Sequence, residues 1–181
     1  WEGVEISNID FPNTSSIYES LSKHIIKHGG NIEFSDDGSF TKKPDYIIAV
    51  YGETPYAEMF GDIKNLDFSS SNKEIISIMS EFRLKGIPIV SLFLSGRPLI
   101  VEKELNLSSS FVSIWLPGTA VEGINDVVFS NIDNSINYDF KGRLSFSWPS
   151  KNSNNPLNKN LPDYNPMFEY GFGLTYKNLN E

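Results

Sequence analysis

Three short apolar segments limit the fold of this chain more than any other feature of its sequence. They are residues 45–51 (DYIIAVY), 88–94 (PIVSLFL) and 111–116 (FVSIWL), and glycine or proline follows each of them within two residues. Such runs are typical of strands that are buried on both faces of a sheet. Segments with helical periodicity alternate with them, at residues 15–28, 72–83, 98–105 and 118–129. The alternation predicts one α/β domain built on a mostly parallel sheet.

Acidic and aromatic residues follow the first of these strands. Ligands of a parallel sheet bind beyond the carboxyl ends of its strands, which here are residues 52–53, 95–96 and 117–118. The first end opens into GETPYAEMFGD, where Glu53, Glu58 and Asp62 accompany Tyr56 and Phe60. Apolar neighbours raise the pKa of a carboxyl group, and a general acid needs such a pKa to hold its proton near neutral pH. Acids in loops are more often simply solvated, so this pattern alone leaves both interpretations open.

The other candidate groups have ordinary structural interpretations. Arg97 follows the second strand and is expected to tie down a loop or to bind an anionic group. His24 and His28 lie four residues apart on the first predicted helix, where the spacing permits a metal site but a solvent-facing position is the simpler interpretation. The sequence contains no G-x-S-x-G elbow, no phosphate-binding glycine loop and no cysteine. These absences disfavour serine and cysteine hydrolases and nucleotide binding.

Length and charge exclude further classes of function. A chain of 181 residues suits one domain. Lys and Arg total 15 against 23 Asp and Glu, and the net charge of −8 argues against nucleic acid and anionic membranes as partners. No apolar run approaches the roughly 20 residues of a membrane-spanning helix, so we expect no membrane insertion. The opening WEGVEIS has neither an initiator Met nor a signal-peptide core, and it suggests a piece of a longer polypeptide.

The last part of the chain has weaker patterns. Residues 131–139 look like a surface insertion rich in Asn and Ser, and residues 143–148 (RLSFSW) alternate as an edge strand would. Residues 150–181 are predicted to form an extended loop and then an aromatic and glycine-rich C-terminal segment that packs on the domain.

Five motifs, taken in chain order, resemble the second, α/β sandwich domain of glycoside hydrolase family 3. They are GETPYAEMFGD, VSLFLSGRPLIV, IWLPGTAVEG, FKGRLSFSWP and PMFEYGFGLTY. The similarity is nearest to the exo-acting β-glucosidases and β-glucan exohydrolases of that family. The resemblance implies that residues 1–181 form the C-terminal domain of a larger glycosidase. It also implies a three-layer α/β/α sandwich with a mostly parallel, six-stranded sheet.

The resemblance also implies site residues and partners. In the family, the active site lies against an N-terminal (β/α)8 barrel domain of the same enzyme, which supplies the aspartate nucleophile. Glu58, the second glutamate of the first motif, takes the position of the acid/base residue, and Glu53 takes a supporting one. Trp1, in the opening W-x-G, matches a tryptophan that flanks the sugar in the outer subsite.

The implied reaction is hydrolysis of terminal β-D-glucosyl residues from a β-glucoside or β-glucan oligosaccharide. Two carboxyl groups suffice for this chemistry, so neither a cofactor nor a metal is expected. The isolated chain is expected to be inactive because it lacks the nucleophile domain. By the same resemblance, the enzyme is expected to be periplasmic or extracellular.

Two other hypotheses compete with this one. The chain would alternatively be a non-catalytic α/β carbohydrate-binding or interaction module that keeps the fold without the chemistry. A flavodoxin-like nucleotide binder fits less well, because the glycines that cradle phosphate are missing.

The motif after the third strand, PGTAVEG, departs from the family's usual P-G-x-E-G-x-G, and no catalytic role is assigned there.

Overall fold

The three apolar segments form one parallel sheet in the computed structural model of the chain, which describes residues 8–56, 58–153 and 156–177. The strands are β1 (Ile47–Gly52), β2 (Ile89–Leu94) and β3 (Ser110–Ser113), in the order β1-β2-β3. β2 pairs in parallel with both neighbours, and its Leu92 and Phe93 are completely buried. The predicted α/β class and the parallel arrangement are therefore confirmed.

The sheet is smaller than the sequence led us to expect. In the described residues it has three strands rather than six, and a separate antiparallel pair is formed by β4 (Trp148–Pro149) and β5 (Pro166–Phe168). The edge strand predicted for residues 143–148 is wrong except at its last residue. Leu144 instead exchanges backbone hydrogen bonds with Gly171 and Phe172, at 2.8 Å each, which turns this segment away from a regular ladder.

The described residues form five α-helices, and the shortest of them, Phe68–Ser71, has no counterpart among the helices predicted from the sequence. Among the described residues they are α1 (Ile17–Lys27), α2 (Phe68–Ser71), α3 (Lys73–Leu84), α4 (Glu102–Leu107) and α5 (Glu122–Val128), with 3₁₀ turns at Asn8–Asp10 and Glu58–Gly61. Ser16 and Glu19 form a capping box at the start of α1. No helix in these described ranges is long and apolar enough to cross a membrane.

The start of α3 agrees with the helix predicted for residues 72–83, whereas the start of α4 does not agree with the one predicted at Pro98. Asn72 precedes α3, but its side-chain amide donates to the Phe68 carbonyl at 2.9 Å and does not cap the helix. The helix expected to open at Pro98 begins only at Glu102. Ile100 is held in an extended bridge instead, because its N–H donates to the Leu66 carbonyl and its own carbonyl accepts from the N–H of Phe68.

The described residues group into two compact units. The first contains Asp37–Leu116 and Arg143–Phe172, and thus the whole parallel sheet with α2, α3 and α4. Its core has one aromatic cluster around Phe93 and a second apolar cluster around Met79. Phe93 lies edge-on to Phe68 at a centroid distance of 5.1 Å, and the Trp148 indole N–H donates to the Leu99 carbonyl at 2.6 Å.

The second unit contains α1, α5 and the segment that leads to the C-terminus. α1 packs on α5, where the Asn125 side-chain amide donates to the Ser20 hydroxyl at 2.9 Å. The Tyr176 hydroxyl donates to the Val127 carbonyl at 2.5 Å, and the Tyr176 N–H donates to the Asp139 carboxylate at 2.7 Å. The first of these contacts joins Tyr176 to α5, and the second joins it to the segment that follows α5.

One buried acid stands out in the first unit. Glu104 on α4 is completely buried, and neither of its carboxyl oxygens has a hydrogen-bond partner among the described residues. Burial raises the pKa of this carboxyl group, and the negative charge of Asp67 adds to the rise. Burial also raises the pKa of the nearby Tyr51 hydroxyl to about 12, so the surroundings of Glu104 favour neutral groups.

Glu104→Gln is expected to flatten the pH dependence of stability. The folded state holds the Glu104 proton more tightly than the unfolded state does. The native protein therefore loses stability as the pH rises from about 4.5 through the raised folded pKa. Glutamine does not titrate in this range. Urea unfolding between pH 4 and pH 8 should therefore show the free energy of unfolding of the variant rising relative to that of the native chain as the pH rises. Parallel curves for the two proteins would contradict the buried, neutral carboxyl group.

Gly52→Ala is expected to destabilise the chain by roughly 3 kcal/mol, at the upper end of overpacking costs. A Cβ atom at Gly52 would lie 2.0 Å from the backbone oxygen of Leu94, and backbone paired within a sheet has little room to move aside. The matched control is Gly123→Ala on α5, where a Cβ atom would meet nothing within 4 Å. Helix propensity predicts that this control gains up to about 1 kcal/mol. Both changes are measured by urea unfolding.

Candidate active site

The carboxyl edge of the parallel sheet brings two loops together. The last pair in the β1–β2 register is Gly52 with Leu94, and the ladder continues one residue further because the Glu53 N–H donates to the Leu94 carbonyl at 3.1 Å. The chain that leaves β1 therefore starts beside the chain that leaves β2. Residues 53–62, which carry the acidic motif, begin at this point, next to Ser95 and Arg97.

An ion pair connects these two loops. The Arg97 Nε donates to Glu53 Oε1 at 3.0 Å, and the Ser95 hydroxyl donates to Glu53 Oε2 at 2.7 Å. The side chains of Arg97 and Glu53 are only 21% and 12% exposed, and Ser95 is completely buried. Partial burial of a pair with additional hydrogen bonds makes it stronger than a solvent-exposed pair. Both oxygens of Glu53 are thus occupied at the strand ends.

Arg97 also contacts the far end of the acidic loop. Its Nη1 donates to the Gly61 carbonyl at 2.5 Å, and its guanidinium carbon lies 4.0 Å from the centre of the Tyr56 ring. Gly61 packs against that same ring, since a Cβ atom there would lie 2.4 Å from Tyr56 Cδ2. The arginine therefore holds the start, the middle and the end of residues 53–61. The sequence analysis predicted that Arg97 ties down a loop or binds an anionic group. These contacts match the first of these two roles.

The Tyr56 hydroxyl lies in the same cluster. Burial raises its pKa above the ordinary value for tyrosine, the Glu53 carboxylate raises it further, and the Arg97 charge opposes the rise. The phenol is therefore protonated at neutral pH and serves as a hydrogen-bond donor. Gly96 provides room for it, because a Cβ atom there would lie 3.0 Å from the hydroxyl oxygen.

Glu58 occupies a different environment from Glu53. It begins the 3₁₀ turn Glu58–Gly61, it is exposed, and its φ of +47° lies in the left-handed region. A residue other than glycine pays of order 1–2 kcal/mol for this conformation, so the surrounding structure must hold it. Met59 and Phe60 follow it on the turn and are 72% and 84% exposed. The loop thus presents one carboxyl group with two apolar side chains, and its buried end at Gly61 is held by Arg97.

The remaining candidates lie elsewhere. Trp1, expected to flank a sugar, lies outside the described residues. The ring of His24 stacks on Phe129 at 4.6 Å and lies 4.4 Å from the ring of His28. Burial lowers the pKa of His24, and the nearby His28 and Lys27 lower it further. No group of three or more His, Cys, Asp or Glu residues able to hold a metal ion is found in the described part of the chain.

This arrangement can move one proton at an exposed carboxyl group. The Glu58 carboxyl lies on a turn with a constrained backbone, and its neighbour Glu53 is committed to Arg97 and Ser95. Of these two glutamates, Glu58 is the exposed one. The apolar surroundings expected for this acid are not provided by its own turn, because Phe60 is almost fully exposed and Tyr56 packs on Gly61 beneath Arg97.

Comparison with known proteins confirms the resemblance seen in the five motifs. The family model described as "Glycosyl hydrolase family 3 C-terminal domain" matches residues 2–176, and the chain belongs to this family. Over 98% of its length the chain is similar to the crystal structure of an exo-1,3/1,4-β-glucanase from a Pseudoalteromonas species, with 47% identity and a TM-score of 0.89. It covers 22% of that protein.

Curated relatives are more distant in sequence. A periplasmic β-glucosidase from Salmonella typhimurium is 25% identical over 97% of this chain and 25% of its own length. A lysosomal β-glucosidase from Dictyostelium discoideum is 29% identical over 75% of this chain and 16% of its own length. The chain therefore spans a quarter or less of the length of these glycoside hydrolases.

Sequence reasoning missed the role of Ser95. A small polar residue directly after a mostly apolar strand was the available signal, since a buried hydroxyl needs a hydrogen-bond partner. The contact of Arg97 with Gly61 was not expected either, because nothing in the local sequence says which carbonyl a guanidinium reaches. Both contacts depend on which strands are neighbours in the sheet.

Glu53→Gln is expected to destabilise the chain by about 1–3 kcal/mol, because it leaves the partly buried Arg97 without its counter-charge. The matched control is Glu81→Gln on α3, which breaks an exposed pair with Lys85, the residue that follows this helix, at 3.6 Å. That control should change stability by no more than about 0.5 kcal/mol. Urea unfolding followed by tryptophan fluorescence measures both. Equal, small losses in the two variants would show that the Glu53–Arg97 pair is no stronger than a surface pair.

Proposed function

We propose that this chain provides the acid/base carboxyl group, Glu58, of a retaining exo-β-glucosidase or β-glucan glucohydrolase. The observation that carries the proposal is the position of Glu58, on an exposed turn with a left-handed backbone at the carboxyl edge of the sheet. The 47% identity to an exo-1,3/1,4-β-glucanase supports terminal β-linked glucose as the substrate class. The supporting role expected for Glu53 agrees with its bonds to Arg97 and Ser95.

In this mechanism Glu58 acts twice. Its protonated carboxyl first donates to the glycosidic oxygen as the bond to the leaving group breaks and a nucleophile carboxylate attacks the anomeric carbon. The Glu58 carboxylate then takes a proton from the water that hydrolyses the glycosyl-enzyme, which restores its starting state. The two carboxyl groups need a separation of about 5–5.5 Å for retention of configuration. Neither step requires a metal or a cofactor.

The nucleophile is proposed to come from an N-terminal (β/α)8 barrel domain of the same polypeptide. Two features support such a partner: the chain spans 22–25% of the glucanase and the periplasmic relative, and Met59 and Phe60 beside Glu58 are 72% and 84% exposed. A partner domain that covers these two side chains would exclude water from around Glu58, and exclusion of water favours the neutral form of a carboxyl group. The isolated chain is accordingly proposed to be inactive.

Three finer assignments belong to the same proposal. Trp1 is proposed to flank the sugar in the outer subsite, as its match to the W-x-G motif implies. The enzyme is proposed to be periplasmic or extracellular, which the periplasmic β-glucosidase among its relatives supports. A three-layer sandwich with a six-stranded sheet is the proposed complete form of the fold, supported by the alternation of apolar and helical segments.

Glu58→Gln in the full-length enzyme is expected to lower kcat/KM by about 10²–10⁴-fold on cellobiose or laminaribiose, because glutamine cannot protonate the leaving oxygen. A β-glucoside of 2,4-dinitrophenol should lose far less, because its leaving group departs without protonation. The matched control is Glu81→Gln, an exposed glutamate on α3, which should keep wild-type turnover on both substrates.

Steady-state kinetics measure kcat/KM of each variant on both types of substrate. Unchanged hydrolysis of cellobiose and laminaribiose by the Glu58→Gln variant would contradict the assignment of Glu58 as the acid/base residue. It would favour the hypothesis of a non-catalytic module. A similar loss on both substrate types would show that Glu58 acts in some way other than proton transfer.

A further inference from the structure

We propose that Arg97 is the positioning residue of the acid/base carboxyl group, which it holds in place through the two ends of the loop that carries Glu58. This inference rests on the proposed function, because it assigns Arg97 a part in the proton transfer of Glu58. The supporting geometry lies within the first unit and concerns residues 53–61 and 95–97.

The first step of the argument is the reach of the guanidinium group. Its Nε donates to Glu53 where the loop leaves β1, and its Nη1 donates to the Gly61 carbonyl where the 3₁₀ turn ends. Its central carbon lies 4.0 Å from the centre of the Tyr56 ring, and Tyr56 stands between these two residues in the chain. A guanidinium group has donors in fixed, separate directions, whereas the ammonium group of lysine is a compact point charge. Lysine at this position could keep the pair with Glu53 but not all three contacts.

The second step is that the turn has few contacts of its own. Glu58, Met59 and Phe60 are exposed, and Glu58 has a left-handed backbone that other conformations would relieve. The buried residue of the turn is Gly61, whose carbonyl Arg97 binds and whose Cα packs against the Tyr56 ring. Loss of the guanidinium group therefore frees the end of the turn while leaving β1 in place.

The third step is the precision that proton transfer demands. A general acid must come within about 2.6–3.2 Å of the atom it protonates. A displacement of about 1 Å in a reacting group costs on the order of 10²-fold in rate. A shift of the turn by that amount removes Glu58 from the glycosidic oxygen without unfolding the domain.

A direct role of Arg97 in sugar binding fits the structure less well. Its side chain is 21% exposed, and its guanidinium group already contacts a carboxylate, a carbonyl oxygen and an aromatic ring. Both of these hydrogen bonds run to the loop that carries Glu58, at Glu53 and at Gly61. The arginine thus acts on the reaction through the loop that it holds.

The test compares substrates that differ in their need for a proton, with the full-length enzyme. Arg97→Met should lower kcat/KM by about 10- to 100-fold on cellobiose, which needs protonation of its leaving oxygen, but by no more than about threefold on 2,4-dinitrophenyl β-glucoside. Arg97→Lys should recover part of the loss on cellobiose. The matched control is Arg83→Met, an exposed arginine on α3, which should leave both rates unchanged.

A variant combination separates positioning from a general loss of folded enzyme. In the Glu58→Gln background, Arg97→Met should cause little further loss on cellobiose, because the group that it positions is already gone. Gly61→Ala provides a second route, since its Cβ atom would push the Tyr56 ring from its place under Arg97. It should show the same preference for the activated substrate. This variant and Arg97→Lys carry the test if Arg97→Met fails to fold.

Each remaining outcome overturns the inference. Equal losses on the two substrates in the folded variants would show that Arg97 only stabilises the domain. Full additivity with Glu58→Gln would show that Arg97 acts independently of Glu58. If Glu58→Gln lowers the rates on the two substrates equally, the result contradicts the proposed function, and it contradicts this inference as well because the inference rests on that function. The Glu58→Gln measurement therefore tells the two failures apart.

Discussion

The ion pair between Glu53 and Arg97 is the interaction on which the candidate site depends. It joins residues that lie 44 positions apart in the chain, and it does so because β1 and β2 are neighbours in a parallel sheet. Ser95 completes the pair from a fully buried position. With both oxygens of Glu53 engaged, the two strand ends form a rigid base from which residues 54–62 extend.

The exposed part of that loop has the opposite character. Glu58 is held in a left-handed conformation, and Met59 and Phe60 are exposed beside it. Strain in the backbone and exposed apolar surface both cost stability, and proteins tolerate such costs where function needs them. The function proposed above gives these costs a consistent explanation, because in it the turn that carries Glu58 meets the proposed barrel domain.

Much of this architecture was predictable from local patterns. The apolar runs predicted β1, β2 and β3 and the parallel sheet, because a strand buried on both faces needs apolar residues at every position. The helical periodicity of residues 15–28 predicted α1, and the structure adds the capping box of Ser16 and Glu19 at its start. Long-range pairing decided the exceptions. Pro98 looked like a helix start, but Ile100 pairs with the chain around Phe68, and Leu144 pairs with residues 171–172 instead of joining a strand.

The sequence by itself determined the α/β class, because apolar runs and helical periodicity are local patterns. The resemblance of its five motifs identified the family, and it implied Glu58 as the candidate acid/base residue. Tertiary structure alone decided which glutamate is bonded to Arg97 and Ser95 and which is exposed, and it decided the left-handed backbone of Glu58. The physical reason is the range of the interactions involved. Periodicity and motif spacing act over a few residues, whereas a guanidinium group finds its carboxylate and its carbonyl oxygen only after the sheet has brought separate strand ends together.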